Sequence, residues 1–125
     1  MDIQLIQIPP LQKFRPTDSF FDRTELREQT VLRGERFCYQ VCIRSDVRQS
    51  VTVSLESELA PHLKLYLVKN VVMDVPARTG DLRGEDYISL EPGLMPDLLL
   101  PVTEQNRELI LSNAPTVLWV RADIP

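Results

Sequence analysis

Apolar and polar residues alternate with a period of two through much of this chain, most clearly in Phe37–Glu56, FCYQVCIRSDVRQSVTVSLE. Phe37, Tyr39, Val41 and Ile43 alternate with Cys38, Gln40, Cys42 and Arg44. After a polar link, Ser45–Ser50, the residues Val51, Val53 and Leu55 alternate with Thr52, Ser54 and Glu56. Successive side chains of a strand point to opposite faces. The pattern therefore predicts two strands of a half-buried antiparallel sheet, each with one apolar and one mixed face, joined as a central hairpin. A slip of one residue would turn both apolar faces to water, so the register is well specified.

The same reading extends along the chain. Ile3–Ile8 is a short strand stopped by Pro9-Pro10, and Leu11–Phe21 is irregular with a turn at Pro16, Thr17 and Asp18. Glu25–Leu32 suits a short helix or a strand; Thr30, Val31 and Leu32 before the Arg33-Gly34-Glu35 turn favour a strand leading into the hairpin. Leu59-Ala60-Pro61 suits one helical turn ended by Pro61. Leu63, Leu65 and Leu67 then share a face against Tyr66 and Val68, while Val71, Met73 and Val75 share the next; Lys69-Asn70 between these runs predicts a bend or bulge. Pro76–Asp86 is a charged loop containing Gly80 and Gly84, and Tyr87–Leu90 is briefly extended.

Glu91–Pro101, EPGLMPDLLLP, contains three prolines, which exclude a helix and a central strand. It reads as an extended excursion across one end of the sheet, anchored by Leu94, Leu98 and Leu100. Arg107–Leu111 and Thr116–Ile124 complete the strands, the latter with Leu118, Val120, Ala122 and Ile124 on one face and Val117, Trp119, Arg121 and Asp123 on the other. Many short strands separated by proline and glycine predict an all-β, mostly antiparallel β-sandwich of the immunoglobulin or fibronectin kind.

Composition narrows the function classes. At 125 residues the chain makes one domain with an adequate core. The net charge of −4 argues against a nucleic-acid surface, which must neutralise phosphates. Residues 1–50 carry 8 basic and 7 acidic groups and residues 51–125 carry 6 and 11, with no like-charge block to form a tail. No apolar run reaches the roughly 20 residues of a membrane span. Asp2 and Gln4 interrupt any secretory apolar region, so a cytoplasmic setting is expected. The two cysteines, Cys38 and Cys42, sit four residues apart on one predicted strand, with Cα atoms roughly 13 Å apart, too far for a disulfide. They read as small residues on a sheet face, not as metal ligands.

Catalytic patterns are scarce. The single histidine, His62, lies in a connection beside Pro61, and no G-x-S-x-G elbow or glycine-rich phosphate loop is present. Asp81, Glu85 and Asp86 read as a solvated charged loop, not a cation site. Glu91 and Asp97 could be a pair of glycosidase carboxylates, but Asp97 is better explained as accepting backbone hydrogen bonds within a Pro-Asp turn. Trp119, Tyr66 and Tyr87 are candidate sugar platforms. For Trp119, on the polar face of the last strand, three roles compete: a second buried layer, contact with another domain, or a ligand platform.

Gly34-Glu35 leading into Phe37–Ile43, then YISLEPGLMPDLLLP over Tyr87–Pro101, then LWVRADIP over Leu118–Pro125, together resemble the N-terminal domain of glycoside hydrolase family 123 and its relatives. The resemblance covers residues 30–125 and rests on Pro96-Asp97 with Leu99 and Pro101, followed by Leu118-Trp119-Val120. It implies a non-catalytic β-sandwich that packs on a downstream catalytic (β/α)8 barrel, whose activity would be of the β-N-acetylgalactosaminidase kind. The catalytic Asp-Glu pair belongs to that barrel, so no catalytic residue carries over to this chain and no cofactor is implied. Family members continue past the LWV strand. The stop at Pro125 therefore suggests an excised piece, with closing strands missing and an open edge prone to dimerisation. Trp119, Arg121, Glu91, Pro96 and Asp97 are the expected inter-domain or ligand face. Rival readings are a free-standing carbohydrate-binding module and an assembly domain that uses the open edge.

Overall fold

In a computed structural model of the chain, which describes residues 2–16, 18, 25–73 and 93–125, the fold is all-β, antiparallel and sandwich-like. β1 is Ile3–Ile8, β2 Arg36–Ser45, β3 Gln49–Thr52, β4 Leu63–Met73, β5 Gly93–Pro101, β6 Glu108–Leu111 and β7 Thr116–Asp123. Five of them form one sheet in the order β1-β2-β7-β4-β5; β3 and β6 form a second. Val75, the Pro76–Asp86 loop, the Tyr87–Leu90 segment and Glu91 lie outside the described residues.

β7 is central because it can bury both faces. Its register sets Leu118 beside Val41 of β2 and Leu67 of β4, and Val117 beside Cys42 and Val68. On one side, Leu118 packs with Ile43, Leu109 and Leu111, and half-buried Val51, Val53, Leu65 and Leu67 surround them. This is the core between the sheets. On the other side, Val117, Cys42 and Ile8 pack with Phe14, which comes from the irregular segment after β1. The mixed face of β2 is therefore buried as deeply as its apolar face. Cys42 is buried and Cys38 half-buried, and the two form no disulfide.

The central hairpin does not form. β2 pairs with β1 and β7, whereas β3 pairs with β6. A corner at Ser45 separates them: its buried hydroxyl accepts from the Val47 N–H (3.3 Å) and the Gln49 side-chain amide (2.6 Å), while its own N–H donates to the Ser112 carbonyl (2.9 Å). These bonds turn the chain out of the first sheet and into the second. Both strands keep the predicted alternation, because period two is a property of each strand and not of its partner.

Glu25–Leu32, which the sequence suits to a strand leading into β2, forms neither helix nor strand. Its Leu26 N–H donates to the Gln7 carbonyl on the outer edge of β1 (2.8 Å). Gly34 is the turn residue expected, at φ +78°, which a side chain would strain. Its N–H donates to the Ile124 carbonyl (2.9 Å), and the Ile124 N–H donates to the Glu35 carbonyl (2.9 Å), so the turn locks the start of β2 to the end of β7. Ala60–His62 is a single 3-10 turn with Pro61 inside it, not at its end.

The proline-rich segment pairs with β4 as an edge strand, the one sheet position that tolerates interior proline. A register shift opposite Lys69-Asn70 confirms the expected bulge, but the extra residue belongs to the other strand. Lys69 faces Leu98 and Asn70 faces Pro96, leaving Asp97 over. Leu94, Leu98 and Leu100 are exposed, and Pro96 is the buried anchor. The two-stranded sheet does not cover this edge strand, and its leucines keep 40% to 49% of their surface exposed.

Residues 9–16 form a strap across the face of the large sheet opposite β3 and β6. Gln40, only 3% exposed in mid-β2, donates its amide to the carbonyls of Pro9 (3.1 Å), Pro10 (3.2 Å) and Gln12. Two amide hydrogens are shared among three acceptors. Phe14, 2% exposed, supplies the apolar contact, and burial of such a ring contributes about 1.5–3 kcal/mol. Gln40→Ala leaves those carbonyls without their buried donor, which costs about 1–3 kcal/mol. A urea titration of wild type and variant should show a lower midpoint for Gln40→Ala; equal midpoints would refute the clamp.

Candidate functional site

The strap creates the first candidate site. Cross-strand pairing places Gln40, Trp119 and Tyr66 in one row over β2, β7 and β4. Pro10 and Lys13 of the strap stand above this row, and Pro96 and Asp97 of the β5 bulge stand beside it. Pro10, Lys13, Pro96 and Asp97, with Gln40 and Trp119 of the row, line a hollow of about 150 Å³. Lys13 ties the strap to β5: its ammonium donates to the Pro96 carbonyl at 2.8 Å and lies 3.5 Å from an Asp97 carboxylate oxygen. Both side chains of that ion pair are substantially exposed, so it contributes less than about 1 kcal/mol.

Three of the five residues singled out from sequence, Trp119, Pro96 and Asp97, thus meet around one hollow. Trp119 is half-buried and shares the hollow's lining with Pro10 and Lys13 of the strap. Asp97 sits in a strand bulge, and its carboxylate pairs with Lys13; it does not cap a turn. A bulge re-aims side chains, so Pro96 and Asp97 both reach the hollow although they are adjacent in sequence. Arg121 lies two residues along β7 on the same face, outside the hollow. Glu91 lies outside the described residues, as does Tyr87. Gln40 and Lys13 escaped the sequence reading. The available signals were a lone amide in mid-strand and a phenylalanine, Phe14, held in a proline-flanked segment that has no strand of its own.

Arg121 belongs to a charge cluster at the β2–β7 end. Asp123 accepts from Arg36 Nε (2.8 Å) and from Arg121 Nε (3.2 Å) and Nη2 (3.0 Å). The Arg36 bond, followed by that of Arg121, holds the Asp123 carboxyl below its ordinary value of 3.8. The same contact raises Arg121, whose charge is kept by its bond to Asp123. This cluster ties strand ends together and is exposed to solvent.

Two further hollows lie on the opposite face, where β3 and β6 stop short of covering β4 and β5. One, of about 520 Å³, is bordered by Val53, Leu55, Leu63, Leu65, Val102 and Arg107. The other, of about 480 Å³, lies between β6 and the Leu67–Leu100 pair. His62 is exposed in its 3-10 turn and lines neither hollow, and among the described residues no three His, Cys, Asp or Glu side chains are grouped to hold a metal ion. No helix among the described residues is long and apolar enough to cross a membrane.

The lowered Asp123 carboxyl has a signed consequence. The folded state favours the ionised form, so this contribution to stability is present above the unfolded value near 3.8 and is lost as pH falls through the lower folded value. Asp123→Asn removes it at neutral pH. Thermal unfolding of wild type and variant should differ at pH 7 and converge in acid; a gap that stays constant down to the acid limit would contradict the assignment. No family model and no curated protein matches this chain, so a reading of its function rests on the geometry above and on the resemblance in its motifs.

Proposed function

We propose that this chain is a non-catalytic β-sandwich module that works by docking on a larger protein surface. The resemblance to glycoside hydrolase family 123 names the partner: a catalytic (β/α)8 barrel in the same polypeptide, with an activity of the β-N-acetylgalactosaminidase kind. One observation carries the docking reading. Among the described residues, a five-stranded sheet is covered on its sandwich side by two short strands, with Leu98 46% and Leu100 40% exposed beside open hollows. Contiguous apolar surface of this kind marks an interface.

The rival readings meet specific obstacles. A free-standing carbohydrate module needs an aromatic ring open to a pyranose face, whereas Trp119 is half-buried and shares a hollow of only about 150 Å³ with Pro10 and Lys13. An assembly domain joined through the β5 edge meets Pro96, Pro101 and the Asp97 bulge, all of which blunt strand addition. Docking through side chains needs no free edge there.

The test compares the isolated chain with the full polypeptide. The double variant Leu98→Asp and Leu100→Asp alters exposed positions, so in the isolated chain it should shift stability by no more than about 0.5 kcal/mol per site. In the full polypeptide the same residues are covered, and the variant should lose at least about 2 kcal/mol, since each buried leucine contributes about 1.5–3 kcal/mol. Chemical denaturation followed at this module reads the difference. Equal, small effects in both settings overturn the docking reading.

A further inference from the structure

The exposed leucines do not say how a partner sits on them, but the backbone of β6 does. Val53 N–H donates to the Arg107 carbonyl (2.9 Å), just beyond the ladder in which Val51 faces Leu109 and Gln49 faces Leu111. Hydrogen-bonded pairs alternate along an antiparallel ladder. Leu109 and Leu111 therefore direct their N–H and C=O groups to β3, while Glu108 and Ile110 direct theirs away from it. Among the described residues, none donates to or accepts from those outward groups.

That free edge faces the hollow of about 480 Å³. Glu108 and Ile110 line it, and no residue of β3 does, which puts the hollow on the far side of β6 from its one partner. Its floor is Leu67 and Leu100, paired across β4 and β5 and belonging to the sandwich face. Lys69 and Asn106 stand at its rim. An apolar floor beside a row of unpaired backbone groups is the combination an added strand requires: the backbone bonds to the edge, and alternate side chains point at the floor. A helix would leave the edge groups unmatched, because its own backbone groups are already bonded internally.

We propose that the gap between β6 and the β4–β5 pair receives an extended polypeptide segment, which adds to β6 as a third strand of the smaller sheet and sets apolar side chains at alternate positions over Leu67 and Leu100. The segment carries no proline where its N–H must reach Glu108 or Ile110. The other edges suit this role less well: β1 already receives the Leu26 N–H at Gln7, and β5 is broken by Pro96 and its bulge. The inference rests on the docking reading for its biological use, but the strand acceptor is a property of this chain alone.

The test uses a capped hexapeptide, Lys-Thr-Val-Thr-Val-Lys, as a strand probe on the isotope-labelled chain. Amide exchange at Glu108 and Ile110 should slow by about tenfold or more on peptide addition, while Leu109 and Leu111, already bonded to β3, change little. Ile110→Pro should abolish the response without unfolding the chain, because the lost N–H points away from β3. Leu100→Asp, which charges the floor and leaves the backbone intact, should weaken it in parallel. No slowing at about millimolar peptide, or a response that survives both variants, overturns the strand acceptor. The docking reading is decided separately: if the Leu98 and Leu100 substitutions destabilise the full polypeptide while Glu108 and Ile110 stay unprotected in it, docking stands and strand addition falls.

Discussion

A sheet with two apolar faces needs two covers, and among the described residues both are short. β2 and β7 place Ile43 and Leu118 on one face and Cys42 and Val117 on the other. One cover is the two-stranded sheet β3–β6; the other is the strap at residues 9–16. Everything distinctive about the structure follows from how far each cover reaches. Polar contacts fix the strap: Gln40 of β2 binds its first carbonyls, and the Lys13 side chain reaches β5. The two-stranded sheet stops over the centre, and the leucines of β5 stay partly exposed.

The buried Gln40 illustrates why a polar group belongs in such a core. A strap without secondary structure carries carbonyls that no ladder satisfies, and burying them unpaired costs about 1–3 kcal/mol apiece. One side-chain amide placed under three of them removes most of that cost and fixes where the strap lies. Ser45 does the equivalent at the sheet-to-sheet corner with a hydroxyl. In both places a short polar side chain does what a backbone ladder does elsewhere.

An edge strand of each sheet is finished differently. β5 combines Pro96, Pro101 and a bulge, so its backbone is poorly matched to another strand even though its side chains are apolar. β6 is the reverse: four residues, no proline, and outward backbone groups beside an apolar floor. A surface that is sticky in its side chains but blunted in its backbone favours packing by shape. A free, regular edge favours pairing. The two features lie next to each other on one face of the molecule.

Period-two alternation by itself determined the strands: Ile3–Ile8, the two faces of β7, and the grouping of Leu63, Leu65 and Leu67 all follow from residues two apart. Proline chemistry placed Gly93–Pro101 away from the sheet centre, and Gly34 marked its turn, because both act through local backbone geometry. Partner choice was decided only in three dimensions. The link from Ser45 to Ser50 reads as a hairpin, yet β2 found β7 some 80 residues away, because the two strands match apolar residues on both faces and β3 cannot. The strap residues beside Trp119, the meeting of Trp119 with Pro96 and Asp97, and the exposure of Leu98 and Leu100 are likewise invisible in sequence. Alternation reports which way a side chain points, whereas burial depends on whether a distant segment arrives to cover it.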